Sequence, residues 1–247
     1  MADTLAETTG GDIQLTRLGD VVARHDPAGP WSEVIISDGR NRVILISGPP
    51  GTPPDPHIHP DYNEWWISVG GTTQWQVGQY EPLRATYGDI VIAPAGYSHD
   101  IRPKGAEAAL RLAVSHPNSN HDIRGVAPSR QVPIDYSLPL PNLVHCRLDR
   151  ITALHGPDTA WSEVAVRDTR NVGTFIKDTP GGASPERRPT GDEWSIMLSG
   201  TAEVVTGGSP VVGLEAGDIV LVESATPYQV RTTGNSPSLR IMVSPPN

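Results

Sequence analysis

The chain has 247 residues, including 25 glycines and 25 prolines, with aromatics at 5 % and a formal net charge of −9. That length supports one large or two small domains with a real core, the lone Cys146 excludes an internal disulfide framework, and the 19 basic residues form no run or stripe suited to nucleic acid. No apolar run reaches membrane-spanning length and the acidic start MADTLAETTGGD lacks a secretory pattern, so no membrane association and a cytoplasmic location are expected.

Short apolar runs between turn clusters (VIIS, RVILIS, DIVIA, DIVLV, RIMVS) predict an all-β fold. In chain order, WSEVIISDGRN opens at Trp31, and a second strand follows with Arg42 at its head. GTPPDPHIHPDYNEWWISVGG (51–71) then places His57 and His59 two residues apart, so that in an extended strand both leave the same face. Glu64 begins the run EWWISV, and Trp66 shares its parity. Gln74, Trp75 and Gln76 lie on the strand after Gly71, and His99 closes GDIVIAPAGYSH. Three imidazoles and a carboxylate converging from three strands suit one divalent first-row metal. Imidazole favours iron, nickel, copper or zinc, and the carboxylate keeps manganese and iron in play.

After RLAVSHPN (111–118), the proline-rich stretch 126–142 reads as a linker. The chain then repeats itself. WSEVAVRDTRN at Trp161 matches WSEVIISDGRN at Trp31, Glu193-Trp194 matches Glu64-Trp65, and Gly217-Asp218-Ile219-Val220 matches Gly88-Asp89-Ile90-Val91. The expected division is therefore 11–125, linker 126–142, and 143–247. In the second copy the four candidate ligands fall on Glu186, Arg188, Glu193 and Tyr228. Arg188 has no lone pair to offer a cation, so this copy is expected to be metal-free with an ion-paired interior. Residues shared by both copies read as scaffold, among them His25/His155, Glu33/Glu163, Arg40/Arg170, Asn41/Asn171 and Arg111/Arg240. His116, His121 and His145 read as surface or strand-end positions.

Residues peculiar to the first copy are the candidates for a substrate pocket. Trp66 becomes Ser195, Gln74 becomes Glu203, Gln76 becomes Val205 and Arg42 becomes Val172, while Tyr62 lies in the loop before Glu64. Trp66 and a glutamine could wall and orient a small planar or carboxylated substrate, and an inward Arg42 could pair with its carboxylate. No catalytic group beyond the metal ligands is singled out.

Two spacings resemble the cupin superfamily. Gly51-x5-His57-x-His59-x4-Glu64-x6-Gly71 is similar to its first motif, and Gly88-x5-Pro94-x-Gly96-x2-His99 to its second, with Pro103 where the final Asn would fall. The resemblance implies two tandem jelly rolls, a bicupin, whose N-terminal copy holds one metal through His57, His59, Glu64 and His99. Fe(II) is favoured, with Mn, Ni or Zn as alternatives. The implied activity is an Fe(II) dioxygenase cleaving a small aromatic or enolic, carboxylated substrate with O2. The alternatives are a non-oxidative isomerase, lyase or decarboxylase and, beyond that, a ligand-binding cupin without turnover. Association into a homo-oligomer is left open.

Overall fold

The computed structural model describes residues 7–8, 12–119, 123–208 and 210–246, so His121 lies outside the described residues. The chain divides into two compact units, one of His25–Arg150 and one of Ile151–Asn247 with the N-terminal segment ending at Arg24. Both are sheet-rich, and each pairs a large antiparallel sheet with a smaller one.

In the His25–Arg150 unit the six-stranded sheet runs His145–Cys146, Ile90–Ala93, Glu64–Gly70, Ala109–Ser115, Arg42–Gly48 and Trp31–Ser37 in spatial order. The smaller sheet runs His57–Ile58, Ser98–Lys104, Thr72–Val77 and Leu83–Ala85. The other unit repeats the large-sheet order as Ile13–Arg17, Asp218–Val222, Glu193–Ser199, Ser238–Ser244, Val172–Asp178 and Trp161–Arg167. Glu7–Thr8 extends its edge, and Val212–Leu214, Thr201–Thr206 and Tyr228–Thr233 form its smaller sheet.

The units differ from the boundaries read off the repeat. Ile13–Arg17 pairs with Asp218–Val222, and His145–Cys146 pairs with Ile90–Ala93. Each unit thus takes a strand from the segment preceding the other copy, which a repeat search cannot detect because the strand preceding each copy carries similar residues. The stretch 126–142 holds no helix, and a bridge from Val132 to Tyr80 ties it to the first unit.

Strand alternation decides what faces the interior. In Thr72–Val77 the buried positions are Thr73, Trp75 and Val77. Trp75 and Val77 pack with Ile44, Trp66, Val91, Ala93 and Ala113 in one apolar cluster. Shared residues take matching structural roles. His25 stacks on Trp31 at 4.1 Å and bonds Glu33 at 2.6 Å, while His155 stacks on Trp161 at 4.6 Å and lies 3.1 Å from Glu163. Among the described residues no helix is long and apolar enough to cross a membrane.

His145 heads the strand His145–Cys146, a strand-end position as one expectation had it, but it is not on the surface. It is 2 % exposed, with Nδ1 2.7 Å from the Tyr136 hydroxyl and Nε2 3.3 Å from Asp89. Asp89 also accepts the backbone N–H groups of Thr86 and Leu148, each at 2.9 Å, pinning the 143–150 segment to the sheet. Burial opposes ionisation of Asp89, but the bonds from His145, Thr86 and Leu148 outweigh it and lower its pKa. A carboxylate with a depressed folded-state pKa stabilises above its unfolded value, about 3.9, and loses that contribution as pH falls through the folded value. Asp89→Ala should therefore lower the stability to urea by about 3 kcal/mol at neutral pH, because buried donors lose their acceptor. The gap from the wild type should shrink below about pH 4.

Candidate metal centre

His57 and His99 are direct register partners in the antiparallel pairing of His57–Ile58 with Ser98–Lys104. Glu64 heads a strand of the large sheet opposite Ala93, and His59 follows the short strand that carries His57. Exposure is 7 % for His57, 2 % for His59, 4 % for Glu64 and 1 % for His99. One ligand atom from each lies within 4.8 Å of the others. Glu64 Oε2 is 2.9 Å from His59 Nε2, 3.2 Å from His99 Nε2 and 3.9 Å from His57 Nε2. The Nε2 atoms of His57 and His99 are 3.0 Å apart.

The opposite ring nitrogens are held from outside. His57 Nδ1 lies 2.6 Å from the Asp55 carbonyl oxygen, His99 Nδ1 3.4 Å from that of Tyr97, and His59 Nδ1 2.7 Å from the Tyr62 hydroxyl. A carbonyl only accepts, so in neutral His57 and His99 the proton sits on Nδ1 and the Nε2 lone pair turns inward. Two such lone pairs 3.0 Å apart beside a carboxylate are relieved by a positive charge between them. The donor set fits a divalent cation, which would satisfy all four acceptors at once. Burial opposes the Glu64 charge, but without a cation there, protons carried on Nε2 of His59 and His99 bond and attract the carboxylate and hold its pKa down at about 2.

The pocket candidates separate. Trp66, 1 % exposed, meets the His99 ring edge-on at 4.9 Å and the Trp75 ring at 4.5 Å. Arg42 is two residues before Ile44 of the interior cluster and opposite Ser115. Tyr62 is engaged with His59, by its hydroxyl and by stacking at 4.8 Å, so it orients the His59 ring. Gln74 and Gln76 do not line the interior, because they alternate with the buried Thr73, Trp75 and Val77. Gln76 instead gives its amide N–H groups to the carbonyls of Gly78 and Tyr80, bracing the turn there. The interior residue of that strand is Trp75, which the alternation of Thr73, Trp75 and Val77 could have revealed.

The second unit fills the matching interior differently, and one residue out of the expected register. Arg187 bridges to Tyr228 as His57 pairs with His99. Ala225 N–H donates to the Pro189 carbonyl at 2.8 Å, as Gly96 N–H does to His59. Arg187 and Pro189 are therefore the counterparts of His57 and His59, and Glu186 and Arg188 are exposed. Arg187 donates to Glu193 at 3.0 and 2.5 Å, and the Tyr228 hydroxyl donates to the same carboxylate at 2.7 Å. Burial and the adjacent carboxylate raise the Tyr228 pKa, so its proton stays in place. Among the described residues no metal-ligating cluster occurs in this unit.

Residues 174–244 match the family model for the cupin domain (Cupin_2). No curated protein matches the sequence. Among solved structures, the fold is similar to a cupin 2 conserved barrel domain protein from Leptotrichia buccalis, with TM-score 0.70, 11 % identity, and coverage of 98 % of this chain and 100 % of that one. It is also similar to a salicylate 1,2-dioxygenase from Pseudaminobacter salicylatoxidans, with TM-score 0.70, 12 % identity, and coverage of 98 % and 88 %. A third is a Bacillus subtilis oxalate decarboxylase described for its Mn(II) centres, with TM-score 0.57, 14 % identity, and coverage of 98 % and 75 %. These likenesses define an all-β cupin jelly-roll fold carrying a His3Glu cluster that could hold one metal ion.

Elemental analysis of protein purified without chelators should find one metal per chain. His57→Ala and His99→Ala should each lose most of it, whereas Glu193→Ala should retain it. Tyr62→Phe removes the group that orients His59 and should weaken metal affinity about ten-fold, measured by competition with a chromogenic chelator.

Proposed function

We propose that the chain is a bicupin, two tandem jelly rolls, and that its N-terminal half is an Fe(II) dioxygenase acting with O2 on a small aromatic or enolic, carboxylated substrate. In this reading His57, His59, Glu64 and His99 are the metal ligands and the C-terminal copy has lost them. The observation that carries it is four buried acceptors meeting in one point with each imidazole held from behind. A metal held there supplies coordination positions for substrate and, if iron, for dioxygen.

The chain's own residues do the rest. Asp55 and Tyr97 carbonyls and the Tyr62 hydroxyl fix the imidazole rings, so the ligand geometry need not reorganise during turnover. Trp66, against His99, offers a flat apolar wall that excludes water from the reacting side. Arg42 lies on the interior parity of its strand, suited to meet a substrate carboxylate.

The second reading is a non-oxidative decarboxylase, isomerase or lyase using Mn, Ni or Zn to polarise a carbonyl. The structural likeness to an oxalate decarboxylase described for its Mn(II) centres supports this reading.

Oxygen uptake by protein reconstituted anaerobically with Fe(II), screened against aromatic and enolic acids, separates the two. Substrate-dependent uptake is expected. Trp66→Ala should raise KM or lower kcat at least ten-fold with metal content unchanged. Full activity under nitrogen with Mn(II) or Zn(II) would reject the oxygenase in favour of the second reading.

A further inference from the structure

Along the Glu64–Gly70 strand, four residues beyond Glu64, Ser68 stands directly opposite Arg111, about 13 Å from Glu64 at ~3.3 Å per residue. The guanidinium carbon of Arg111 lies 6.0 Å from the centre of the Trp75 ring. Arg111 keeps some accessible surface, yet among the described residues no ion pair or hydrogen bond engages its guanidinium. Its Nε is buried without an acceptor, and so are Ser68 Oγ, Thr73 Oγ1 and the indole Nε1 of Trp75. Ser68 and Thr73 are 1 % exposed and Trp75 0 %. Thr73 pairs with Pro103, which abuts the Gly48 position beside Arg111 Nη1. Two hydroxyls, an indole N–H and a guanidinium therefore line one end of the interior with nothing to accept from the donors.

The other unit shows what is missing. Arg240 occupies the same register, opposite Met197, and donates to Asp178 Oδ2 at 2.5 Å. Asp178 pairs with Ser238 as Gly48 pairs with Ala109, so Gly48 stands in the aspartate's place. The positions matching Ser68, Thr73 and Trp75 are Met197, Ala202 and Val204, all part of that unit's apolar core. Arg240 Nε is left without an acceptor as Arg111 Nε is, but where the arginine has its own carboxylate the two hydroxyls and the indole N–H are replaced by apolar side chains.

We propose that Arg111, Ser68, Thr73 and Trp75 bind the carboxylate of a small organic acid, which supplies Arg111 with the counter-charge that Asp178 gives Arg240. The site would take an acid whose carboxylate lies at the end away from its metal-binding oxygen. A connected interior is visible in the second unit, where Tyr228, Val230, Met242, Arg240 and Asp178 line one cavity of about 520 Å³. Their counterparts are His99, Ile101, Ala113, Arg111 and Gly48. Burial pushes the Arg111 guanidinium down only to about 10, so it remains a cation at neutral pH. The proposal rests on the reading of this unit as the substrate-binding half, but the acid site itself does not require the metal.

The test uses full-length protein, metal-loaded and chelator-stripped, titrated calorimetrically with acetate, pyruvate and benzoate, and with acetamide and benzamide as neutral controls. At least one acid should bind at one site per chain, ten-fold or more tighter than its amide, in the stripped protein as well. Arg111→Gln should weaken that binding at least ten-fold, Arg111→Lys should retain part of it, and Arg240→Gln should leave it unchanged. Without ligand, Arg111→Gln should lower Tm less than Arg240→Gln, because only the latter leaves a buried carboxylate, Asp178, unpaired. The acid should raise the Tm of the wild type and not that of Arg111→Gln. Absence of saturable binding by any of the three acids, equal binding of acid and amide, or a Tm loss in Arg111→Gln matching that in Arg240→Gln would overturn the proposal. Acid binding by a protein that takes up no metal when offered Fe(II), Mn(II) or Zn(II) would reject the metal reading and leave this one standing.

Discussion

A carboxylate and three imidazole lone pairs turned toward one buried point repel one another unless a positive charge joins them, and the rest of the His25–Arg150 unit is arranged around that constraint. Register alone brings His57 to His99 across the smaller sheet, while Glu64 reaches the same point from the larger one. Backbone carbonyls of Asp55 and Tyr97 and the hydroxyl of Tyr62 then hold the rings so that the lone pairs cannot turn away. The site is therefore rigid before anything binds, which is what a metal of fixed coordination preference requires. Apolar neighbours complete it: Trp66 and Trp75 seal the interior from water and lower the local dielectric.

The second unit meets the same constraint by internal charge compensation. Its glutamate, Glu193, is satisfied by Arg187 and Tyr228, and its interior arginine, Arg240, by Asp178. Both of these interior pairs are supplied by the chain itself. The first unit carries the same glutamate and arginine positions with the partners removed, leaving four acceptors at one point and spare donors further along. Unpaired groups of opposite character in one interior are costly to folding, and in a folded protein such groups are where ligands bind. The contrast between the copies thus locates recognition more sharply than either copy would alone.

Segment exchange adds a mechanical consequence within the units. Asp89 does not merely close a turn; its carboxylate fastens Leu148 and His145, so the last strand of the large sheet depends on one buried side chain. That strand neighbours Ile90–Ala93, which itself lies beside the strand bearing Glu64 and Trp66. Loss of the fastening would loosen the sheet that positions the glutamate, even though Asp89 touches none of the imidazoles of His57, His59 and His99.

The local pattern of residues was enough to pick out the four side chains that meet as a buried His3Glu cluster, the all-β class and the internal repeat, because motif spacing and strand period are short-range properties of the chain. Inward parity placed Trp66 beside Glu64 for the same reason. The pocket assignment of Gln74 and Gln76 failed because a strand shows two faces and its sequence does not say which one the smaller sheet turns inward; Trp75 holds that face. The counterparts of His57 and His59 were misplaced by one residue, since the deletion that shifts the repeat lies after them, and only the Arg187–Tyr228 bridge and the Ala225–Pro189 hydrogen bond locate it. Shared identity made Arg111 look like scaffold equal to Arg240. Whether a buried arginine is paired depends on a residue far away in the chain, Gly48 in one copy and Asp178 in the other, and only tertiary packing brings that residue to it.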